Sequence, residues 1–526
     1  MKFLMLFSLL SAVFTNPILH SDYSDPDAIC VDGEYWMVSS SFNCIPGLQI
    51  LHSTNLVDWE IINAGIPRSL SPEDVFASPR HGCGVWAPAI RHFNGKFWIF
   101  WGDPDYGVFQ IHADHPAGEW SKPVHVWKGR GIIDPCPLVD DDGRIYLVHA
   151  WAGSRAGFKS VLAVCELDSE CTRFVGEQIL VFDGKKTDDD TIEGPKFYKR
   201  DGWYYIFAPS GGVKEGWQVV LRSKNIYGPY EYKRVLHQGS TAIHGPHQGA
   251  WVEDAAGDSW FLHFEDRGAY GRVVHLQPMK WLRDGWCTMG KDINGDGVGE
   301  PVSKWRMPAA FPDKTYPRSV SALSVGTDFT HEYIPYNWQW HSNPADDWAL
   351  LCPAEGYLRL NCIQSPARWR NLWDTPNLLL TKVVGPQMQF DAELVFRPSY
   401  EGDRAGLVLM GLDYFTLEFV KQSGKVCLRR VNCIDAESGA GEFVCDEVEL
   451  VADDNALKES SFYTVRVRLN VRKGGICSFS YSLGSGPYVR FGQDFKMREG
   501  KWIGAKVGFF ALAQIRKNDS GSLEVR

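Results

Sequence analysis

Between residues 25 and 281 one pattern of polar and apolar positions recurs five times. Each copy opens on a polar signature and continues through a short apolar strand, a glycine-containing turn and an aromatic-rich strand. A further strand then ends in a Ser/Trp-rich corner. The signatures are Asp25-Pro26-Asp27, Trp86-Ala87-Pro88, Asp134-Pro135, Glu193-Gly194-Pro195 and His247-Gln248-Gly249. The turns are Asp32-Gly33, Asn94-Gly95, Asp142-Gly143, Asp201-Gly202 and Gly257-Asp258, each followed by a run such as Tyr35-Trp36-Met37-Val38 or Trp203-Tyr204-Tyr205-Ile206. Asp-Gly or Asn-Gly between apolar runs is a strong hairpin signal, because a type I′ turn needs positive φ at both central residues. The copies start 61, 48, 59 and 54 residues apart, the length of a four-stranded propeller blade with its loops. The pattern predicts an all-β chain with a five-bladed β-propeller over residues 16–290. In a propeller the innermost strand of each blade lines the axis, so the five signatures are expected to converge on one axial pocket.

The repeat stops after Trp281. Residues 291–318, rich in Asp, Gly and Pro, read as a linker. From 319 to 526 the chain alternates apolar and polar positions over 388–396, 405–410, 414–420, 463–469 and 507–511, with no helical period of any length. That pattern predicts a β-sandwich. A chain of 526 residues is also too long for one core, in keeping with two packed units.

Composition narrows the function. The net charge is −10 and no Lys/Arg-rich run exists, which excludes the electrostatic footprint of a nucleic-acid binder and leaves a neutral polymer as an acceptable substrate. Aromatic residues make up 13%, with 21 Trp; flat apolar rings suit stacking on sugar C–H faces as well as filling β-rich cores. Thirteen cysteines without a C-x-x-C pair argue against a zinc site and read as free thiols, although Cys165/Cys171 or Cys352/Cys362 are pairs that an oxidising compartment could bridge. Residues 1–15, MKFLMLFSLLSAVFT, fit a secretory signal too short to span a bilayer, which implies a periplasmic or secreted protein. The alternative for this segment is a buried N-terminal strand. Oligomeric state is not legible.

The chemistry lies in the signatures. Asp25, Asp134 and Glu193 open three different repeats, each before Pro or Gly-Pro, which restricts the backbone and fixes the side-chain direction. Glycoside hydrolysis needs one carboxylate to activate water or attack the sugar and one protonated carboxyl to serve the leaving oxygen. A third acid can keep the donor's pKa raised, because adjacent like charges resist joint ionisation.

At these residues the chain resembles glycoside hydrolase family 43. SDPDAI is similar to the family's general-base motif, IIDPCP to that of its pKa-modulating aspartate and IEGPKFY to its general-acid motif. VWAPAI, SSSFNCIPGLQILHS, GPHQGAW and GRVVHLQPMKW extend the likeness, and the C-terminal half resembles the concanavalin-like, jelly-roll sandwich of the family's β-xylosidases. The resemblance implies an inverting exo-hydrolase with Asp25 as base, Glu193 as acid and Asp134 as the residue that orients Glu193 and raises its pKa. For that mechanism the carboxyls stand roughly 6.5–9.5 Å apart. It further implies that Arg272 binds substrate, with Arg267 as competitor, and that Trp86 and Phe42 wall the non-reducing-end subsite. FNCI is less aromatic there than is common in the family's xylosidases. His247 sits at the axis, where in some members it is the protein ligand of a mostly hydrated calcium; a structural role packed against Trp251 is the other reading. Residues 292–297, DINGDG, begin like a calcium loop but have Ser303 where its last ligand, a Glu, belongs.

The implied substrate is a hemicellulose-derived glycan with terminal β-D-xylose or α-L-arabinofuranose, and no cofactor beyond that calcium is called for. Two other readings remain. A retaining fructosidase would carry Asn-Asp-Pro and Arg-Asp-Pro in place of Ser-Asp-Pro and Ile-Asp-Pro. A non-catalytic sugar-binding propeller is compatible with the fold alone.

Overall fold

The computed structural model of the protein describes residues 12–326, 329–453, 461–515 and 519–526. Five antiparallel sheets carry the five repeats, and their inner strands are Asp27–Val31, Trp86–Phe93, Ile132–Val139, Lys196–Arg200 and His247–Glu253. The first four neighbour one another in chain order, and the fifth packs on the fourth blade and returns beside the first. The chain therefore forms the expected five-bladed propeller.

The hairpins split into two types. Asp32-Gly33, Asn94-Gly95 and Asp201-Gly202 have positive φ at both residues, as a type I′ turn requires. In the third and fifth blades only Gly143 and Gly257 do. There the loops are longer: Asp140 N–H donates to Arg144 and Gly143 N–H to Asp140, a pattern repeated by Asp254, Asp258 and Gly257. A type I turn closed by one left-handed glycine suits that length.

Each signature lies at or just before the start of its inner strand, and in three blades the strand is distorted there. The pairing register shifts between Trp86 and Ala89, between Ile133 and Cys136, and between His247 and Gly249. One residue per blade takes positive φ at this point: Asp25, Ala87, Asp134, Gly194 and Gln248. In blades one to four the next residue is proline. Holding a non-glycine residue there costs on the order of 1–3 kcal/mol, which the surrounding sheet must offset. In the fourth blade a glycine takes the strained position, so the acid moves one residue earlier, to Glu193. A Cβ on Gly194 would also lie 2.6 Å from the Gln248 side chain, so the position is closed to larger residues.

Buried polar ties hold neighbouring blades together. Asp27, fully buried, accepts from Ile90 N–H at 2.8 Å and pairs with Arg91 at 2.7 Å. Lys196 Nζ stands 3.9 Å from the other Asp27 oxygen and donates to Pro88 at 2.9 Å. The second aspartate of SDPD is thus structural. Because losing one partner of such a pair strands a buried charge, Asp27→Ala is expected to destabilise the propeller by about 3–5 kcal/mol. Calorimetry checks this, and a propeller transition at the wild-type temperature would contradict it.

Residues 1–11 lie outside the described residues. Val13–Thr15 forms a strand against Lys304–Arg306, with Phe14 buried beside Trp260. The segment read as a linker wraps the propeller: Lys314 and Tyr316 both reach Glu34 at 2.6 Å. Val320–Ser321 then adds a fifth strand to the first blade. The sandwich proper starts at Gln339–Trp340. Its two sheets, of eight and seven strands, enclose one large apolar core. All thirteen cysteines are free thiols.

Sandwich and propeller dock through specific contacts. His81 stacks on Trp373 at 3.8 Å, Lys382 Nζ donates to Gln49 at 2.8 Å, and Ala505 N–H donates to Ala269 at 2.8 Å. The docking brings residues 500–504 over the axial end of the propeller.

Candidate active site

The axial ends of the blades enclose a cavity of about 140 Å³ lined by Asp25, Asp134, Glu193, His247 and Arg272, with Phe42 and Trp86 as apolar walls. Residues from all five signatures therefore meet in one pocket. Arg267 pairs with Glu265 at 2.8 Å and is not part of the lining.

Asp25 is held on two sides. Ser40 donates its hydroxyl to Asp25 Oδ2 at 2.6 Å and itself accepts from Ala87 N–H at 2.7 Å. Arg272 Nη1 lies 3.6 Å from Asp25 Oδ1. Asp134 is buried and accepts from Gly194 N–H at 2.7 Å, a bond that links the third signature directly to the fourth. Glu193 has 38% of its side chain exposed and faces the cavity, with Oε1 3.4 Å from His247 Nε2.

Both Asp134 and Glu193 have pKa values raised above the carboxylate range. For Asp134 burial is the main cause and the neighbouring Glu193 charge the second. For Glu193, raised to about 7, the causes are loss of hydration and then the charge of Asp25, opposed by Arg272 and Lys159. Two such groups side by side titrate as a pair that resists joint ionisation. The lift on Glu193 thus comes from burial and Asp25 first, a different source from the one the resemblance implies, while Asp134 shares the same proton economy.

His247 is buried against Phe264 at 5.2 Å, whereas Trp251 packs instead on Tyr198 and Trp281. Burial and the Arg272 charge lower its pKa to about 3, so the ring is neutral, and neither ring nitrogen has a hydrogen-bond partner among the described residues. Calcium takes six to eight oxygen ligands. Among the described residues no three His, Cys, Asp or Glu side chains surround a common point, so His247 could be at most one ligand of a hydrated ion. In the DINGDG segment the Asp292 carboxylate accepts from Gly295 and Gly297 N–H within its own loop.

The sandwich adds a wall that the sequence did not signal. Trp502, in the left-handed region at φ 63°, lines the cavity with its ring 6.4 Å from Trp86 and 5.8 Å from the Arg272 guanidinium. A Cβ on Gly82 would come within 2.7 Å of this ring, and Trp86 Nε1 donates to Gly82 O at 2.9 Å. Ser40 was also missed, because one serine in SSSF carries no local mark; only the fold shows which of the three faces Asp25.

The sequence model of glycosyl hydrolases family 43 matches residues 14–287, and that of the β-xylosidase C-terminal concanavalin A-like domain matches residues 326–524. The chain belongs to glycosyl hydrolase family 43. It is therefore a glycosidase, and its C-terminal half is the concanavalin-like sandwich. A putative β-xylosidase of Xylanibacter ruminicola is 33% identical over 488 residues, spanning 92% of this chain and 84% of the relative. A non-reducing end α-L-arabinofuranosidase of Bacteroides ovatus is 30% identical over 443 residues, 80% and 78% of the two chains. Among solved structures, a GH43 protein of Bacillus licheniformis superposes with a TM-score of 0.80 at 24% identity, covering 98% of both chains. That likeness shows the two-domain fold. Among the described residues no helix is long and apolar enough to cross a membrane.

Proposed function

We propose that this family 43 glycosidase removes single terminal pentosyl units, β-D-xylosyl or α-L-arabinofuranosyl, from the non-reducing ends of hemicellulose-derived glycans. The observation that carries the reading is the convergence of three blades' carboxyls on a cavity closed by Phe42, Trp86 and Trp502, with Glu193 raised to about 7. The enclosure suits one sugar ring and favours chain ends over chain interiors. Glu193, protonated near neutrality, donates to the glycosidic oxygen. Asp25, fixed by Ser40 and Arg272, takes the proton of a water that attacks the anomeric carbon from the opposite face. The anomeric configuration inverts in this single displacement. Asp134 holds the Gly194 amide and so the backbone that carries Glu193.

The names of the relatives support both sugars. Initial rates on 4-nitrophenyl β-D-xylopyranoside and 4-nitrophenyl α-L-arabinofuranoside, wild type beside Asp25→Asn, test the reading, and NMR of the first-formed anomer tests inversion. Cleavage of one substrate, lost in the variant and giving the inverted sugar, is expected; a retained anomer or turnover of neither would overturn it.

Trp502 is assigned to the sugar-binding wall. Trp502→Ala is expected to raise KM by about tenfold, the worth of one aromatic contact, with kcat nearly unchanged. An unaltered KM would remove it from the subsite. The reading also puts the protein in the periplasm or outside the cell, on the strength of the apolar run in residues 1–11 that precedes the paired strand Val13–Thr15; cell fractionation tests this, and a cytosolic pool alone would refute it. A hydrated calcium on His247 belongs to the same reading, as a structural ion at the axis, and a melting temperature indifferent to chelator would refute that.

A further inference from the structure

The sandwich carries a second and larger concavity, about 710 Å³, on the outer face of its eight-stranded sheet. The strands Arg404–Met410, Tyr414–Gln422, Lys425–Cys433 and Lys506–Ala513 alternate about this sheet. Leu407, Leu417, Leu428 and Phe509 point into the core, so Arg404, Glu418 and Arg429 point outward. Part of that outer face is covered by an apolar cluster built on Leu372 and Trp373, the latter being the residue that stacks on His81 of the propeller. The rest is open, and its floor is charged.

The floor is a paired network. Arg404 donates to Glu418 at 2.8 Å and to Glu442 at 2.6 Å, and Arg429 Nε donates to Glu418 at 2.8 Å. Lys421 and Glu401 also line the groove, so three cations (Arg404, Lys421 and Arg429) stand against three carboxylates, Glu401 at the surface and Glu418 and Glu442 paired with the guanidiniums beneath, and neither an anion nor a cation is favoured. Hydrogen-bonding capacity is left over: Arg429 lines the groove, and its terminal amino groups have no hydrogen-bond partner among the described residues. Gln364, Gln422 and Gln514 add donors and acceptors at the rim. One wall is Trp369, half-buried, its indole fixed by Nε1 donating to Thr375 at 2.9 Å and by Arg404 lying 5.8 Å from the ring.

We propose that this groove is a second glycan site, which holds a stretch of a neutral oligosaccharide chain away from the catalytic pocket. A rigid aromatic wall beside donors and acceptors of balanced charge matches sugar rings, whose faces are apolar and whose hydroxyls both give and accept hydrogen bonds. The groove is several times roomier than the catalytic cavity, as a run of residues requires and a single terminal sugar does not. It does not depend on which terminal sugar is cleaved.

The test uses full-length Glu193→Gln, which slows turnover of unactivated glycosides by about 10²–10⁴-fold, titrated calorimetrically with xylohexaose and run by affinity electrophoresis in soluble xylan, mannan and β-glucan. Two classes of site for xylohexaose, or retardation by one of the polymers, are expected. Adding Trp369→Ala is expected to weaken the second class roughly tenfold, while Trp369→Ala in the active enzyme leaves aryl-glycoside hydrolysis unchanged. A double Arg429→Gln/Gln422→Ala variant, in which Glu418 keeps Arg404, serves if the tryptophan variant does not fold. A single class of site with no polymer retardation, or binding that survives the groove substitutions, would overturn the proposal. Loss of aryl-glycoside cleavage by the wild type would instead strike the catalytic reading and leave the groove's binding to be judged on its own.

Discussion

Glu193→Gln is expected to lower kcat on xylobiose by about 10²–10⁴-fold, the range for removing a positioned general acid, and to lower it far less on an aryl glycoside with an acidic leaving phenol. The difference follows from what the acid does. An alkoxide leaving group needs its proton during C–O cleavage, whereas a stabilised phenolate departs without it. The pH profile is the second readout. Glu193 must be protonated to act, and its pKa is raised to about 7 by burial and by the Asp25 charge. Activity of the wild type should therefore be present below neutrality and fall as pH rises through about 7. That basic limb should disappear in Glu193→Gln. Equal losses on good and poor leaving groups, or an unchanged basic limb, would exclude Glu193 as the proton donor.

Much of this site was legible because propeller geometry converts sequence period into spatial convergence. Once five signatures are recognised, their meeting at the axis follows, and Asp25, Asp134, Glu193, His247 and Arg272 do line one cavity. The hairpin residues were equally readable, since Asp-Gly turns announce positive φ; only loop length separated the type I′ turns from those at Gly143 and Gly257. Three things were hidden for physical reasons. Trp502 lies more than 200 residues beyond the last signature and reaches the pocket through domain docking, which has no period. Ser40 depends on which side of an irregular segment faces Asp25. The segment 291–318 reads as a linker because Pro and Gly break any strand pattern, yet Lys314 and Tyr316 tie back to Glu34 and the backbone of Lys304–Arg306 pairs with the N-terminal strand.

Asp25→Asn is expected to reduce kcat by about 10²–10⁴-fold, and by the same factor across aryl glycosides of differing leaving-group acidity. Asp25 acts on the water and not on the departing oxygen, so leaving-group chemistry cannot compensate for its loss. The substitution is nearly isosteric, and Ser40 can still donate to the amide oxygen, so a fall in activity cannot be assigned to collapse of the pocket. The variant also alters Glu193. The Asp25 charge is one of the two causes that raise the Glu193 pKa, while Arg272 opposes it. Removing that negative charge frees the Arg272 guanidinium, 3.6 Å from Asp25 Oδ1 in the wild type, to act on Glu193 alone. The residual activity of Asp25→Asn should therefore lose its basic limb at lower pH than the wild type does. Ser40→Ala is the graded control: it keeps the charge and removes one orienting bond, so it should cost less rate and leave the limb where it was. A basic limb that does not move in Asp25→Asn would mean that burial alone sets the Glu193 pKa, and that the two carboxyls are electrostatically independent.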